Sequence, residues 1–159
     1  MAYQKLQASR AIAVIPSDTV NIPNPPTLAI SSTTTGAAPN KLVYAAGDFV
    51  NRGVKIGDII YNYSGAYAAT VTAVDSSTQL SISPAPGIAP AAAYDLYASY
   101  DTPNNGCVLY VGVAGDVKVT TAGGDDVTFT GVLAGSFIPV QVIKVFATGT
   151  TSTNIVALW

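Results

Sequence analysis

Fourteen Gly and ten Pro interrupt this chain of 159 residues every several positions. Both residue types punctuate regular structure, so the elements between them are short. The gaps are filled largely by Thr, Val, Ile and Tyr, which favour a pleated, half-buried surface. Helix formers are scarce: there is no Glu, and Met occurs only at position 1. Many short strands separated by turn signals imply an all-β chain built as a sandwich or small barrels.

The pattern along the chain gives those strands places. Residues 1–10 form a polar arm with Tyr3 and Leu6 as its apolar points, followed by a short strand at Ala11–Ile15. Ser31–Asn40 (SSTTTGAAPN) reads as a low-complexity linker. Val54–Asn62 is strand-like with a bulge at Gly57-Asp58, and Ala66–Val74 alternates around Tyr67, Val71 and Val74. Thr78–Ser83 returns with Leu80 and Ile82 on one face, and Ala93–Tyr100 closes a small, curved barrel of about five strands. Asp101–Gly106 is a second linker.

Beyond it the alternation is clearest. Leu109, Val111 and Val113 share a face, and Val117 and Val119 point opposite to Asp116, Lys118 and Thr120. A Gly-Gly hairpin turn at Thr121–Asp126 leads to Val127 and Phe129, expected to face inward. Ile138, Val140 and Val142 alternate, but Ile143 and Val145 continue on the other parity. A bulge near Val142–Ile143, or burial on both faces, accounts for that flip. Asn154–Trp159 is a final strand.

Charge limits the functions open to such a chain. Charged residues make up 10% of it, where a soluble domain averages about 25%. Spread over the roughly 7,500 Å² of a folded monomer, that is less than half the usual surface density. Much of the surface is therefore expected to face other protein. With no His, the commonest general base and metal ligand is missing. One Cys, Cys107, can form neither an internal disulfide nor a Cys-based zinc site. Few, scattered cations argue against nucleic acid as partner. No apolar run is long enough to span a bilayer, and the first residues lack the apolar core of an export signal.

Two stretches carry a resemblance. Val108–Trp159 contains LYVG-x-x-GDV, then GG-D-x-VTFTGV, then P-x-x-V-x-x-V-x-ATGTT and I-V-A-L. It resembles a domain of tailed-phage structural proteins and is most similar to the head-spike base protein of gene transfer agents. Ala13–Pro23 (AVIPSDTVNIP) resembles the segment that directly precedes LYVG in that family, whereas here about 80 residues intervene. The intervening segment resembles a module of marine phage virion proteins, through its G-V-x-x-G-D-x-x-Y strand, its TVTAVDS and its L-x-I-S. The resemblance implies a discontinuous antiparallel β-sandwich, jelly-roll-like, of residues 1–30 and 105–159, with an inserted small β-barrel at 31–104. It also implies a homo-oligomeric virion protein, assembled in the host cytoplasm and attached to the capsid as a decoration or head-spike base protein. A tail, neck or fibre adaptor, or a receptor- or glycan-binding appendage module, is the alternative.

No catalytic, cofactor or metal site is expected, and the chain is not expected to be an enzyme. Cys107 has no His to activate it and reads as a buried thiol. Asp116, Asp125 and Asp126 could ligate a hard cation, but Asp also caps turns. Seven of the nine Tyr fall between Tyr44 and Tyr100. They either fill the barrel with hydroxyls at its rim or form a contact surface, and Tyr61 with Tyr63 is the candidate surface pair. Tyr3, Leu6, Arg10 and Trp159 are the candidate interface residues.

Overall fold

The computed structural model describes residues 8–24, 28–84 and 88–159. Tyr3 and Leu6 lie outside the described residues. The fold is all-β, with two antiparallel sheets and no helix among the described residues. In chain order the strands are β1 (Ala11–Ala13), β2 (Leu28–Thr33), β3 (Gly36–Ala38), β4 (Lys41–Val43), β5 (Ile59–Asn62), β6 (Tyr67–Ser76) and β7 (Gln79–Ser83). They continue with β8 (Ala93–Tyr97), β9 (Cys107–Val111), β10 (Gly115–Thr121), β11 (Asp126–Val132), β12 (Phe137–Val145) and β13 (Ile155–Leu158). The chain divides into two compact units. One joins residues up to Pro25 with Asn104–Trp159, and the other is Pro26–Pro103.

The first unit holds one sheet of order β1-β13-β9-β12-β10-β11. The alternating residues Leu109, Val111, Val117 and Val119 are fully buried on one face with Ile138, Val142, Val145 and Ile155. Ile22 closes over that core, and its N–H donates to the Ile143 carbonyl at 2.8 Å. The parity flip in β12 is a bulge: Thr120 pairs with Lys144 and Thr121 with Val142, so Ile143 is the extra residue. A second irregularity between Ile138 and Val142 accommodates Pro139, which cannot donate to a regular central ladder.

The second unit holds a sheet of order β2-β8-β5-β6-β7-β4-β3. Its two edge strands, β2 and β3, are joined by Thr34 and Thr35 alone. Laid flat, seven strands would span about 29 Å, whereas two connecting residues reach at most about 11 Å. The sheet must therefore curl until its edges approach, which makes it a half-barrel. Thr34 is the buried corner: its hydroxyl donates to the Ala89 carbonyl at 2.6 Å and accepts from the Ala92 N–H at 3.0 Å. Leu42, Phe49, Ile60, Val71, Leu80, Ile82 and Leu96 fill the curl.

Two local expectations are corrected here. Ser31–Asn40 is not a linker: it carries the end of β2 and all of β3. Thr is a good strand residue, and low complexity conceals that. The strand expected from Val54 begins only at Ile59. Before it, Lys55–Asp58 forms a turn closed by the buried Asp58 carboxylate, which accepts the Lys55 N–H at 2.9 Å and the Tyr100 N–H at 3.2 Å.

Candidate functional site

β5 lies between β8 and β6, and all four of its residues are buried. Side chains alternate across a strand, so Ile60 enters the core of the half-barrel while Tyr61 projects from the opposite face. On that face Tyr61 stands directly across from Asp95 on β8. Its ring meets Tyr97 edge-on at 5.8 Å and Tyr63 edge-on at 6.5 Å between centroids. The Tyr63 hydroxyl donates to Asp95 Oδ2 at 2.8 Å, and the Tyr97 hydroxyl donates to the same oxygen at 3.3 Å. Two tyrosine hydroxyls thus converge on one carboxylate, and the Tyr61 ring packs against both of their rings.

The sequence pair Tyr61 and Tyr63 divides. Tyr61 is 1% exposed and cannot be part of a surface patch, whereas Tyr63 is 42% exposed. The Tyr61 ring lies against the flanking rings of Tyr63 and Tyr97, which help to cover it. Burial pushes the Tyr63 and Tyr97 phenols above their ordinary value, so both keep their protons and act as donors to Asp95. The result is an exposed aromatic ring, fixed in place, beside a carboxylate that accepts hydrogen bonds. Asp95 and Tyr97 were readable as partners only through the two-residue spacing that puts them on one strand face.

In the first unit, Arg10 is exposed and continues the β1–β13 ladder. Its N–H donates to the Trp159 carbonyl at 3.2 Å, and its carbonyl accepts from the Trp159 N–H at 3.0 Å. Trp159 is half-buried against the unit's own core, and its Nε1 donates to Asn104 Oδ1 at 3.1 Å.

The remaining candidates are tied into the backbone. Asp116 Oδ1 accepts the Gly131 N–H at 2.8 Å, and Asp126 Oδ1 accepts the Thr120 hydroxyl at 2.6 Å. The Asp125 N–H donates to Thr121 Oγ1 at 3.1 Å inside the hairpin turn. No group of three or more potential metal-ligating side chains occurs among the described residues. Cys107 is buried, its thiol donates to the Val142 carbonyl at 3.1 Å, and burial pushes it up to about 12. A thiol held protonated in this way is not a nucleophile at neutral pH.

No family model, curated protein or solved structure matches this chain. The functional reading therefore rests on the residues themselves.

Proposed function

We propose that this chain is a structural protein of a phage particle, a capsid-attached decoration or head-spike base protein that acts by assembling with copies of itself and with other virion proteins. The observation that carries the reading is the poverty of charge, 10% of residues. A lone monomer with so few charges is poorly protected against association. Closed symmetric assembly removes such a surface from water. The phage-protein resemblance of Ala13–Pro23 and Val108–Trp159 supplies the setting. An insertion between those segments requires that they fold together, and Ala13 on β1 pairs with Val156 on β13.

The test is to locate the chain on purified particles by mass spectrometry and a particle map. Density for this chain on the capsid supports the reading. Its absence from particles overturns it, and density on the tail or neck moves it to the adaptor alternative.

A second reading is favoured by one observation, the exposed Tyr63 ring fixed beside Asp95. An aromatic face next to a hydrogen-bond acceptor suits a sugar, whose C–H face stacks while its hydroxyls donate. A glycan array probed with the full chain and with Tyr63→Ala tests it. Binding lost in the variant supports an appendage module, and no binding by the full chain rejects it.

A further inference from the structure

Asn105 is followed by Gly106, and no other Asn or Asp in the chain precedes a glycine. The fold dictates the second member of that pair. Gly106 leads into β9 with φ +128°, and a Cβ there would lie 2.7 Å from the Gln141 Cβ. Glycine alone meets both demands. Asn105 is exposed, one residue beyond the point where the chain re-enters the first unit.

An Asn-Gly pair carries a reaction of its own. The glycine nitrogen gives up its proton to base and attacks the Asn side-chain carbonyl carbon, unhindered because no Cβ stands beside it. The new N–Cγ bond closes a five-membered imide as the Cγ–Nδ2 bond breaks. The departing nitrogen takes protons from solvent and leaves as ammonia. Water then adds to one imide carbonyl and breaks its bond to nitrogen. Opening at Cγ leaves aspartate, and opening at the main-chain carbonyl leaves isoaspartate. Water is the only co-reactant, and nothing is oxidised or reduced.

The attacking nitrogen is restrained in the folded chain. The Gly106 N–H donates to Asn104 Oδ1 at 2.9 Å. That bond favours the protonated amide and turns it toward Asn104, whereas attack needs it deprotonated and turned toward Asn105. Asn104 is itself anchored at two further points. Its Oδ1 accepts the Trp159 Nε1–H at 3.1 Å, and its Nδ2 donates to the Val142 carbonyl at 3.3 Å.

We infer that Asn105 is a site of spontaneous deamidation and that Asn104, as a positioning residue, sets its rate by holding the Gly106 N–H. The pair is slow to react while the Asn104 contacts stand and fast once they open. Conversion turns a neutral amide into a carboxylate and takes the net charge from −2 to −3. The isoaspartyl product also lengthens the main chain by one methylene beside Gln141, where even a Cβ has no room.

The test incubates the full chain at pH 8 and follows the amide-to-acid mass gain by peptide mapping. Wild type should convert at Asn105 before any other Asn, and at least fivefold faster in urea than when folded, the ratio that a single hydrogen bond sustains. Folded Asn104→Ala should convert about fivefold faster than folded wild type. Leu109→Ala weakens the same unit but leaves the Asn104 bonds in place, so its rate should stay near that of wild type. Asn105→Gln, whose longer side chain does not close a five-membered ring, should lose the early mass gain. Melting curves show whether each variant is folded. Should Asn104→Ala fail to fold, the wild-type rates with and without urea decide. Earlier conversion at a different Asn overturns the inference. So do equal rates in urea and in the folded chain, a folded Asn104→Ala that converts no faster than wild type, or a Leu109→Ala that accelerates as much. The assembly reading is decided separately, by detection of the chain on particles.

Discussion

The Trp159 indole Nε1 donates to Asn104 Oδ1 at 3.1 Å, joining the end of β13 to the residue where the chain re-enters the first unit. Asn104 does more than accept that bond. Its Oδ1 also accepts the Gly106 N–H at 2.9 Å, and its Nδ2 donates to the Val142 carbonyl at 3.3 Å. Trp159→Phe removes one bond and should cost about 1 kcal/mol, whereas Asn104→Ala removes all three, together with a long Nδ2 contact to the Cys107 sulfur at 3.9 Å, and should cost about 2 kcal/mol. Urea melts at constant m-value measure both. Equal, negligible losses would mean that this junction contributes nothing to folding.

Burial separates two apolar residues that the sequence treats alike. Leu109 is fully buried, and Leu109→Ala should cost about 3 kcal/mol. Phe129 has the inward phase expected of it but lies on the edge strand, where its ring is only half-buried. Phe129→Ala should therefore cost about 1.5 kcal/mol, less than a buried ring would. A Phe129 loss exceeding that of Leu109 would mean that its ring is covered in solution.

Those two residues also mark what the sequence reveals. The phase of Val117, Val119, Leu80 and Ile82, and the bulge at Ile143, were legible because alternation is a local property of the strand. Which strand is central and which lies at an edge was not, because order in a sheet depends on pairing between distant segments. Hence the sequence left open whether Tyr61 is buried, did not reveal that Phe129 lies on an edge strand, and offered Ser31–Asn40 as a linker. Asp95 was passed over because its significance is the convergence of Tyr63 and Tyr97 on one oxygen.

Alkaline pH should weaken the fold in two stages. The Cys107 thiol ordinarily titrates near 9.0 and burial raises it to about 12 in the folded chain. Below 9 neither state loses this proton, and its contribution is fully present. Between those values the unfolded chain releases the proton while the folded chain keeps it, so stability falls as pH rises. Buried Tyr94 and Tyr97, raised above 10.0, act in the same direction from a slightly higher pH. Melting temperatures from pH 8 to 11 should decline in wild type, and Cys107→Ala should flatten the first part of that decline. An unchanged slope would mean that the thiol is accessible, as would rapid labelling of the native protein by a thiol reagent.

Acid acts through Asp18. Its carboxylate accepts the Thr148 N–H at 2.9 Å and the Thr148 hydroxyl at 2.8 Å. The backbone bond comes first among the causes that hold it below the ordinary value of 3.8. A depressed carboxyl contributes stability above its unfolded value and loses it as pH falls through the folded one. Stability should therefore decline below about pH 4, and Asp18→Asn should be less sensitive to acid than wild type in that window. Parallel pH profiles for the two proteins would show that the Thr148 contact is absent in solution.

Two glycines distinguish steric from conformational necessity. A Cβ added at Gly115 would lie 2.6 Å from the Ser152 backbone nitrogen and 2.8 Å from Thr151 Oγ1. That loop cannot move without loss, because the Thr151 and Ser152 N–H groups donate to the Asp116 carbonyl and the Ser152 hydroxyl donates to the Val113 carbonyl at 2.7 Å. Gly115→Ala should therefore cost about 3 kcal/mol, from overpacking and weakened hydrogen bonds together. Gly124 has φ +95° and nothing near its missing Cβ. Gly124→Ala bears only the strain of a left-handed backbone, about 1 kcal/mol. Chemical denaturation of the two variants orders them. A Gly115 variant as stable as the Gly124 variant would mean that the Thr151–Ser152 segment yields freely and does not close the end of β10.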